Sequence, residues 1–212
     1  MTPSRNIQQA KNIREYSNQI IRSLDNQLLN NSSCYFRVWG FGAKFSGKVR
    51  HIFQCGGSPT ANGAQGVLDA YRTVFESDLT LSGPTVINSV LRQAAARSKQ
   101  YYMAPASKTN MRYCVLLILT DGIVNDLQST QDLIRSYKEL QLPLSVIVVG
   151  IGRADFSEFH RWNHQPSDVR GRFNFVEFRE LQFDSVGLSR QALINVPHDI
   201  VDYYLGRNIL PD

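Results

Sequence analysis

The stretch Tyr113-Cys114-Val115-Leu116-Leu117-Ile118-Leu119-Thr120-Asp121-Gly122 limits the possible folds of this chain more than any other. Large aliphatic side chains follow one another without a break from Val115 to Leu119, and no alternation offers one side to water. A strand covered on both faces reads this way, as in the middle of a parallel sheet between helices. The run stops at Thr-Asp-Gly, which delivers a carboxylate at the carboxyl end of the strand. In open α/β sheets that edge binds ligands. A purely structural reading competes with this one: Asp121 caps a turn in which Gly122 takes a positive φ.

Patterning along the chain supplies the partners such a strand needs. Pro3 to about Leu29 has helical spacing of Ile7, Ala10, Ile13, Ile20, Ile21, Leu24, Leu28 and Leu29. Tyr35–Gly42 reads as a strand, with Val49–Phe53 as a shorter partner. Helices are expected over Ala64–Phe75, over Val86 to about Ser98, and from Ser129 or Thr130 to about Leu140. Leu142–Val149 is a second fully apolar strand, ending in Gly150-Ile151-Gly152. A short helix at Phe156–Phe159, a strand at Phe173–Phe178 and a closing amphipathic helix at Leu188–Leu205 complete the order. Alternating strands and helices call for a doubly wound α/β fold: a mostly parallel sheet, right-handed crossovers and helices on both faces. With no repeat, linker or low-complexity tract, residues 1–212 form a single expected domain.

Composition narrows the function classes. Hydrophobic residues at 42% and charged residues at 19% exclude a disordered chain. The net charge of +5 comes from dispersed groups, densest at Arg92, Arg97, Lys99, Lys108 and Arg112 and again at Arg161, Arg170 and Arg172. Neither stretch is a compact basic run with interleaved aromatics, so no specific nucleic-acid partner is expected. A peripheral membrane or signalling adaptor acting through that basic face is the second functional reading. Cys34, Cys55 and Cys114 are odd in number and far apart, and read as buried thiols in a reducing, cytoplasmic setting. The N-terminus has no apolar leader, and no stretch approaches transmembrane length.

Other constellations carry little chemistry. His160 and His164 have a spacing found in zinc sites, but no neighbouring carboxylate motif accompanies them, and they read as surface histidines. No serine sits in Gly-x-Ser-x-Gly, and Gly150-Ile151-Gly152 lacks the third glycine of a dinucleotide fingerprint. No active site is legible, and no enzyme is expected.

A family resemblance enters at Gly83-Pro84-Thr85, Leu119-Thr120-Asp121-Gly122 and Val148-Val149-Gly150-Ile151-Gly152-Arg153-Ala154-Asp155-Phe156. Phe41-Gly42-Ala43-Lys44, Asn62-Gly63 with Asp69-Ala70-Tyr71-Arg72, and Ala192-Leu193-Ile194-Asn195-Val196-Pro197 with Tyr203-Tyr204 continue it. Together they resemble the von Willebrand factor A domain of copines. The resemblance implies a doubly wound sheet of strand order 3-2-1-4-5-6 and a non-enzymatic protein-interaction module. It also implies a metal-ion-dependent adhesion site. By position, Thr85 corresponds to the second-loop threonine and Asp121 to the third-loop aspartate of that site. Their oxygens are hard ligands suited to Mg²⁺ or Mn²⁺, and a partner's acidic side chain would take an open coordination position. Asp126 lies near the same edge, though its place is expected early in the following helix, where a carboxylate complements the dipole.

The chain departs from that pattern at its start. The family's first strand and its Asp-x-Ser/Thr-x-Ser loop find no place before Pro3, which leaves two direct ligands and predicts weak or absent metal binding. Asp78-Leu79-Thr80-Leu81-Ser82 spells the missing motif but follows a helical segment, so it reads as a chance match, the alternative being a modified site that recruits Asp78. Without the first strand, either Tyr35–Gly42 pairs directly with Tyr113–Thr120, or a neighbouring molecule donates a strand to an exposed sheet edge, or the chain is a poorly stable fragment. The phospholipid-binding C2 domains that precede this domain in copines are not among these residues, so membrane attachment is expected only if upstream domains exist.

Overall fold

The computed structural model describes residues 35–103, 111–122 and 124–209. The expected first helix, and Cys34, lie outside the described residues. The fold is built on a three-stranded parallel sheet. Its members are β8 (Cys114–Thr120), β9 (Leu144–Gly150) and β10 (Phe173–Glu177), in the order β10-β9-β8. Every residue of β9 is buried, and it pairs with Phe173–Glu177 on one side and Cys114–Thr120 on the other.

Alternate side chains of β9 enter two different cores, as the two-residue period of a strand requires. Leu144, Val146 and Val148 meet Val90, Leu91 and Ala94 of α2 (Asn88–Met103), Ile134 of α3 (Leu127–Glu139) and Phe159 and Trp162 of α4 (Ser157–Asn163). Ile147 and Val149 face the opposite way, toward Phe178 of α6 (Phe178–Leu181), Leu188 and Ala192 of α7 (Ser185–Leu193) and Val196 of α8 (Val196–Leu205). Each fully buried aliphatic or aromatic side chain contributes roughly 1.5–3 kcal/mol of transfer free energy. Between α4 and β10 lies the one-turn helix α5 (Ser167–Arg170).

Among the described residues β9 has a strand neighbour on each side, whereas the run Val115–Leu119, expected in the middle of a sheet, has one on a single side. In β8, Leu116 and Ile118 are buried while Val115, on the opposite face, is 44% exposed. The opposite edge of the sheet is closed differently. Asn163, the last residue of α4, accepts the Phe175 N–H at 3.0 Å and donates to the Phe175 carbonyl at 3.4 Å, satisfying both backbone groups.

Tyr35–Gly42 does not pair with β8. It breaks into β1 (Tyr35–Phe36) and β2 (Trp39–Gly40), which pair antiparallel with β6 (Ala61–Asn62) and β5 (Phe53–Gln54). The interruption falls at Arg37 and Val38, ahead of both glycines. The Phe53 ring lies over Gly40 where a Cβ would stand, and Gly42 turns the chain at φ +70°. Beyond the turn, β3 (Ala43–Phe45) pairs with β4 (Lys48–Arg50) and with β7 (Leu79–Leu81). The strand Leu79–Leu81 was not legible, and α1 (Gly63–Phe75) precedes it as expected. The closing helix is two helices, α7 and α8, because Pro197 lacks the N–H that a continuous helix would use and takes an early position in α8. Among the described residues no helix is long and apolar enough to cross a membrane.

Candidate functional site

The carboxyl ends of β8, β9 and β10 form one edge, and Asp121, Ile151 and Glu177 stand along it. Asp121 is exposed and follows directly on the buried Thr120. The Thr120 hydroxyl donates to the Gly122 carbonyl at 3.2 Å, which folds the strand exit into a turn. The Ile151 N–H donates to the Thr120 carbonyl at 2.8 Å and carries the parallel pairing one step past the strand ends.

Thr85 lies on the neighbouring loop, just before α2. A reciprocal pair joins the two loops: the Thr85 N–H donates to Asn125 Oδ1 at 2.8 Å, and the Asn125 N–H donates to the Thr85 carbonyl at 2.9 Å. Asp126 adds to the seam. Its carboxylate accepts the N–H groups of Ile87 at 3.2 Å and Asn88 at 2.9 Å, two of the orphan donors at the start of α2. The expectation for Asp126 thus needs a correction. It occupies the N-cap position of α3, but its side chain caps α2 instead, so both oxygens are committed to backbone amides. Asn88 then donates to the Ser129 hydroxyl at 2.7 Å and accepts from Thr130 at 2.9 Å, tying α2 to α3.

Asp78 belongs to other contacts. Its carboxylate accepts the Ser46 hydroxyl at 2.6 Å and the Ser46 N–H at 3.0 Å, at the turn between β3 and β4. The hydroxyl bond, aided by the backbone one, holds its carboxyl below the usual range. Cys55 and Cys114 are free thiols, the first buried and the second half-buried.

A second constellation escaped sequence reasoning. His160 Nε2 lies 2.9 Å from Glu177 Oε2, with Glu177 only 3% exposed at the end of β10. Glu180, one turn further on in α6, joins them, and one ligand atom from each of the three lies within 4.8 Å of the others. His160, Asn163, Glu177, Glu180 and Gln191 line a pocket of about 260 Å³. The partner of His160 is 17 residues away, so no local motif announces it. His164, by contrast, is exposed, and its Nδ1 sits 2.7 Å from the His160 carbonyl.

A family model described as Copine matches residues 6–212 of this sequence. The chain belongs to the copine family. Protein BONZAI 2 of Arabidopsis thaliana is 33% identical to this copine-family chain over 190 residues, covering 83% of the chain and 31% of the plant protein. Copine-E of Dictyostelium discoideum is 30% identical over 184 residues, covering 82% and 31%. Nicotinic receptor-associated protein 1 of Caenorhabditis briggsae is 32% identical over 206 residues, covering 85% and 31%. The copine-family chain therefore spans about a third of the length of the curated relatives it matches.

Proposed function

We propose that this chain is a non-enzymatic protein-interaction module in which Thr85 and Asp121 are direct ligands of a Mg²⁺- or Mn²⁺-dependent adhesion site. The observation that carries the reading is the reciprocal Thr85–Asn125 pair, which holds the Thr85 loop against the loop that follows Asp121. A hydroxyl and a carboxylate beside the carboxyl edge of a parallel sheet suit a hard cation that keeps several waters. Asp126, fixed on the amides of α2, does not add a ligand. Thr85 and Asp121 supply two protein oxygens, and an acidic side chain of a protein partner takes an open coordination position. Self-association is the companion proposal: the side of β8 that has no strand neighbour among the described residues, with Val115 exposed, offers backbone groups to a strand from another molecule. One relative carries association with a receptor in its printed name, in keeping with an interaction role. The module is proposed to work in the cytoplasm, on a doubly wound sheet in which the family's first strand would lie against β8.

Thermal unfolding with and without millimolar Mg²⁺ tests the metal site, on the parent chain and on Asp121→Ala. A ligand at about a hundred times its Kd stabilises the folded state by roughly 2.7 kcal/mol. The expected result is a small Mg²⁺-dependent rise in Tm that Asp121→Ala abolishes. No shift in the parent, or an equal shift in the variant, overturns the metal assignment.

A further inference from the structure

The group at the carboxyl end of β10 differs from the adhesion-type loops in donor chemistry and in the elements that hold it. We propose that His160, Glu177 and Glu180 form a binding site for a divalent transition-metal ion, Zn²⁺ by preference, with one coordination position open to the adjoining pocket.

The donor set selects the metal. One imidazole nitrogen and two carboxylate oxygens make the three-protein-ligand arrangement that Zn²⁺ adopts when a fourth position stays free. Imidazole favours zinc and its neighbours over Mg²⁺ or Ca²⁺, which take oxygen. The spacing fits as well. His160 Nε2 and Glu177 Oε2 are already 2.9 Å apart, and all three ligand atoms lie within 4.8 Å of one another. An ion with bonds of about 2.0–2.2 Å draws them together by small side-chain movements.

Two of the three ligands are held in place before any ion arrives. Glu177 ends a strand that is buried throughout and registered on β9, where it pairs with Gly150. The His160 ring stands edge-on to Phe175 at 4.9 Å and 87°, which fixes its plane. Phe159, stacked on Phe175 at 5.0 Å, anchors α4 beneath it. Glu180 is exposed on the short α6 and is the arm that closes.

A second, independent observation points to a ligand. Glu177 is nearly fully buried and faces the pocket, yet its Oε1 accepts no hydrogen bond. The Arg179 guanidinium is the ion-pair partner of that oxygen, from a side chain that is 56% exposed. The oxygen thus has a cationic neighbour but no directed hydrogen bond, and a metal ion in the pocket would compete with Arg179 for it. A salt bridge of His160, Glu177 and Arg179 explains the same burial without a metal, but it gives Glu180 no part. Glu180 therefore decides between the two.

The test is competition of the 212-residue chain with a chromophoric chelator for Zn²⁺, with Mg²⁺ in excess so that any adhesion-type site is already filled. One equivalent of Zn²⁺ is expected to bind, with affinity lower by about tenfold or more in Glu180→Gln and in His160→Gln, and unchanged in Asp121→Ala. Co²⁺ in place of Zn²⁺ should give d–d bands of nitrogen–oxygen coordination without a thiolate charge-transfer band. Absence of stoichiometric Zn²⁺, parental affinity in Glu180→Gln, or a thiolate band would each overturn the assignment. Because Asp121 is a separate variable, failure here leaves the adhesion-site reading standing, and the converse holds too.

Discussion

The carboxylate of Asp126 accepts the backbone N–H of Asn88 at 2.9 Å, so the residue that opens one helix caps another. Replacing it with alanine orphans the N–H groups of Ile87 and Asn88 at once. Loss of a cap costs about 0.5–2 kcal/mol, and the upper half of that range is expected here because two donors are affected. Urea unfolding of Asp126→Ala against the parent measures it. A difference below a few tenths of a kcal/mol would show that water replaces the carboxylate without penalty.

Asn174 does for a helix end what Asp126 does for a helix start. Buried in β10, it donates through Nδ2 to the carbonyls of Gln191 at 2.6 Å and Ala192 at 2.9 Å, near the end of α7. Asn174→Asp removes the donor and buries a charge against two carbonyls. Asn174→Leu removes the donor alone. Both should destabilise, by about 1–3 kcal/mol for the leucine variant, with the aspartate variant worse at neutral pH and recovering as the pH falls. Equal stabilities of the two variants across pH 4–8 would contradict this account.

Below β9, the Ser145 hydroxyl donates to Asp199 Oδ2 at 2.6 Å and lies 2.8 Å from the Tyr113 hydroxyl. Burial raises the Asp199 carboxyl above its ordinary 3.8, outweighing the Ser145 bond and the Arg172 charge. A raised carboxyl means that the folded protein holds its proton to higher pH than the unfolded chain does. Its contribution is therefore most favourable below about pH 3.8 and is lost as the pH rises through the folded value. Asp199→Asn keeps an acceptor for Ser145 and removes the ionisation, so its stability relative to the parent should increase from pH 3.5 to pH 7. Guanidinium unfolding at both pH values reads the difference. A constant difference would rule out Asp199 as its source.

Desolvation pushes the thiol of the buried Cys55 up to about 11 from 9.0. A rise of about two units leaves roughly a hundredfold less thiolate near neutrality, and the thiolate is the reactive form. Alkylation of Cys55 by iodoacetamide at pH 8 should therefore be slow in the folded chain and fast after denaturation, read peptide by peptide in a mass spectrometer. Equal rates in the two states would mean that this part of the antiparallel layer opens freely.

What the sequence reveals of this fold, and what it hides, follows from the range of each interaction. The runs at Val115–Leu119 and Leu142–Val149 mark buried strands correctly, since uninterrupted aliphatics reflect cover on both faces. They do not say which strand has two neighbours, and among the described residues it is β9. Tyr35–Gly42 has strand-like composition, but the fold interrupts it at Arg37 and Val38 and turns the chain at Gly42, leaving short antiparallel pieces. Helical periodicity runs through Ile194 and Asn195 undisturbed, and the divide between α7 and α8 comes from Pro197. Asp121 stands out by its place at a strand end and Thr85 only through the family resemblance, whereas Asn125, which joins their loops, gives no local signal. His160, on a helix, reads as unaccompanied because its carboxylate arrives from the end of a strand 17 residues on.

The aromatic packing behind β9 has a spectroscopic consequence. The chain has two tryptophans, and they sit in different parts of the fold. Trp162 is buried and stacked on Phe173 at a centroid distance of 3.5 Å, whereas Trp39 is half-buried in the short antiparallel layer. Each indole thus emits from its own surroundings. With Trp39 replaced by phenylalanine, fluorescence would follow the parallel core; with Trp162 replaced, it would follow the short β2–β5 pair where Trp39 packs against that core. Two single-tryptophan proteins would then show whether this chain melts as one unit or loses its short antiparallel strands first.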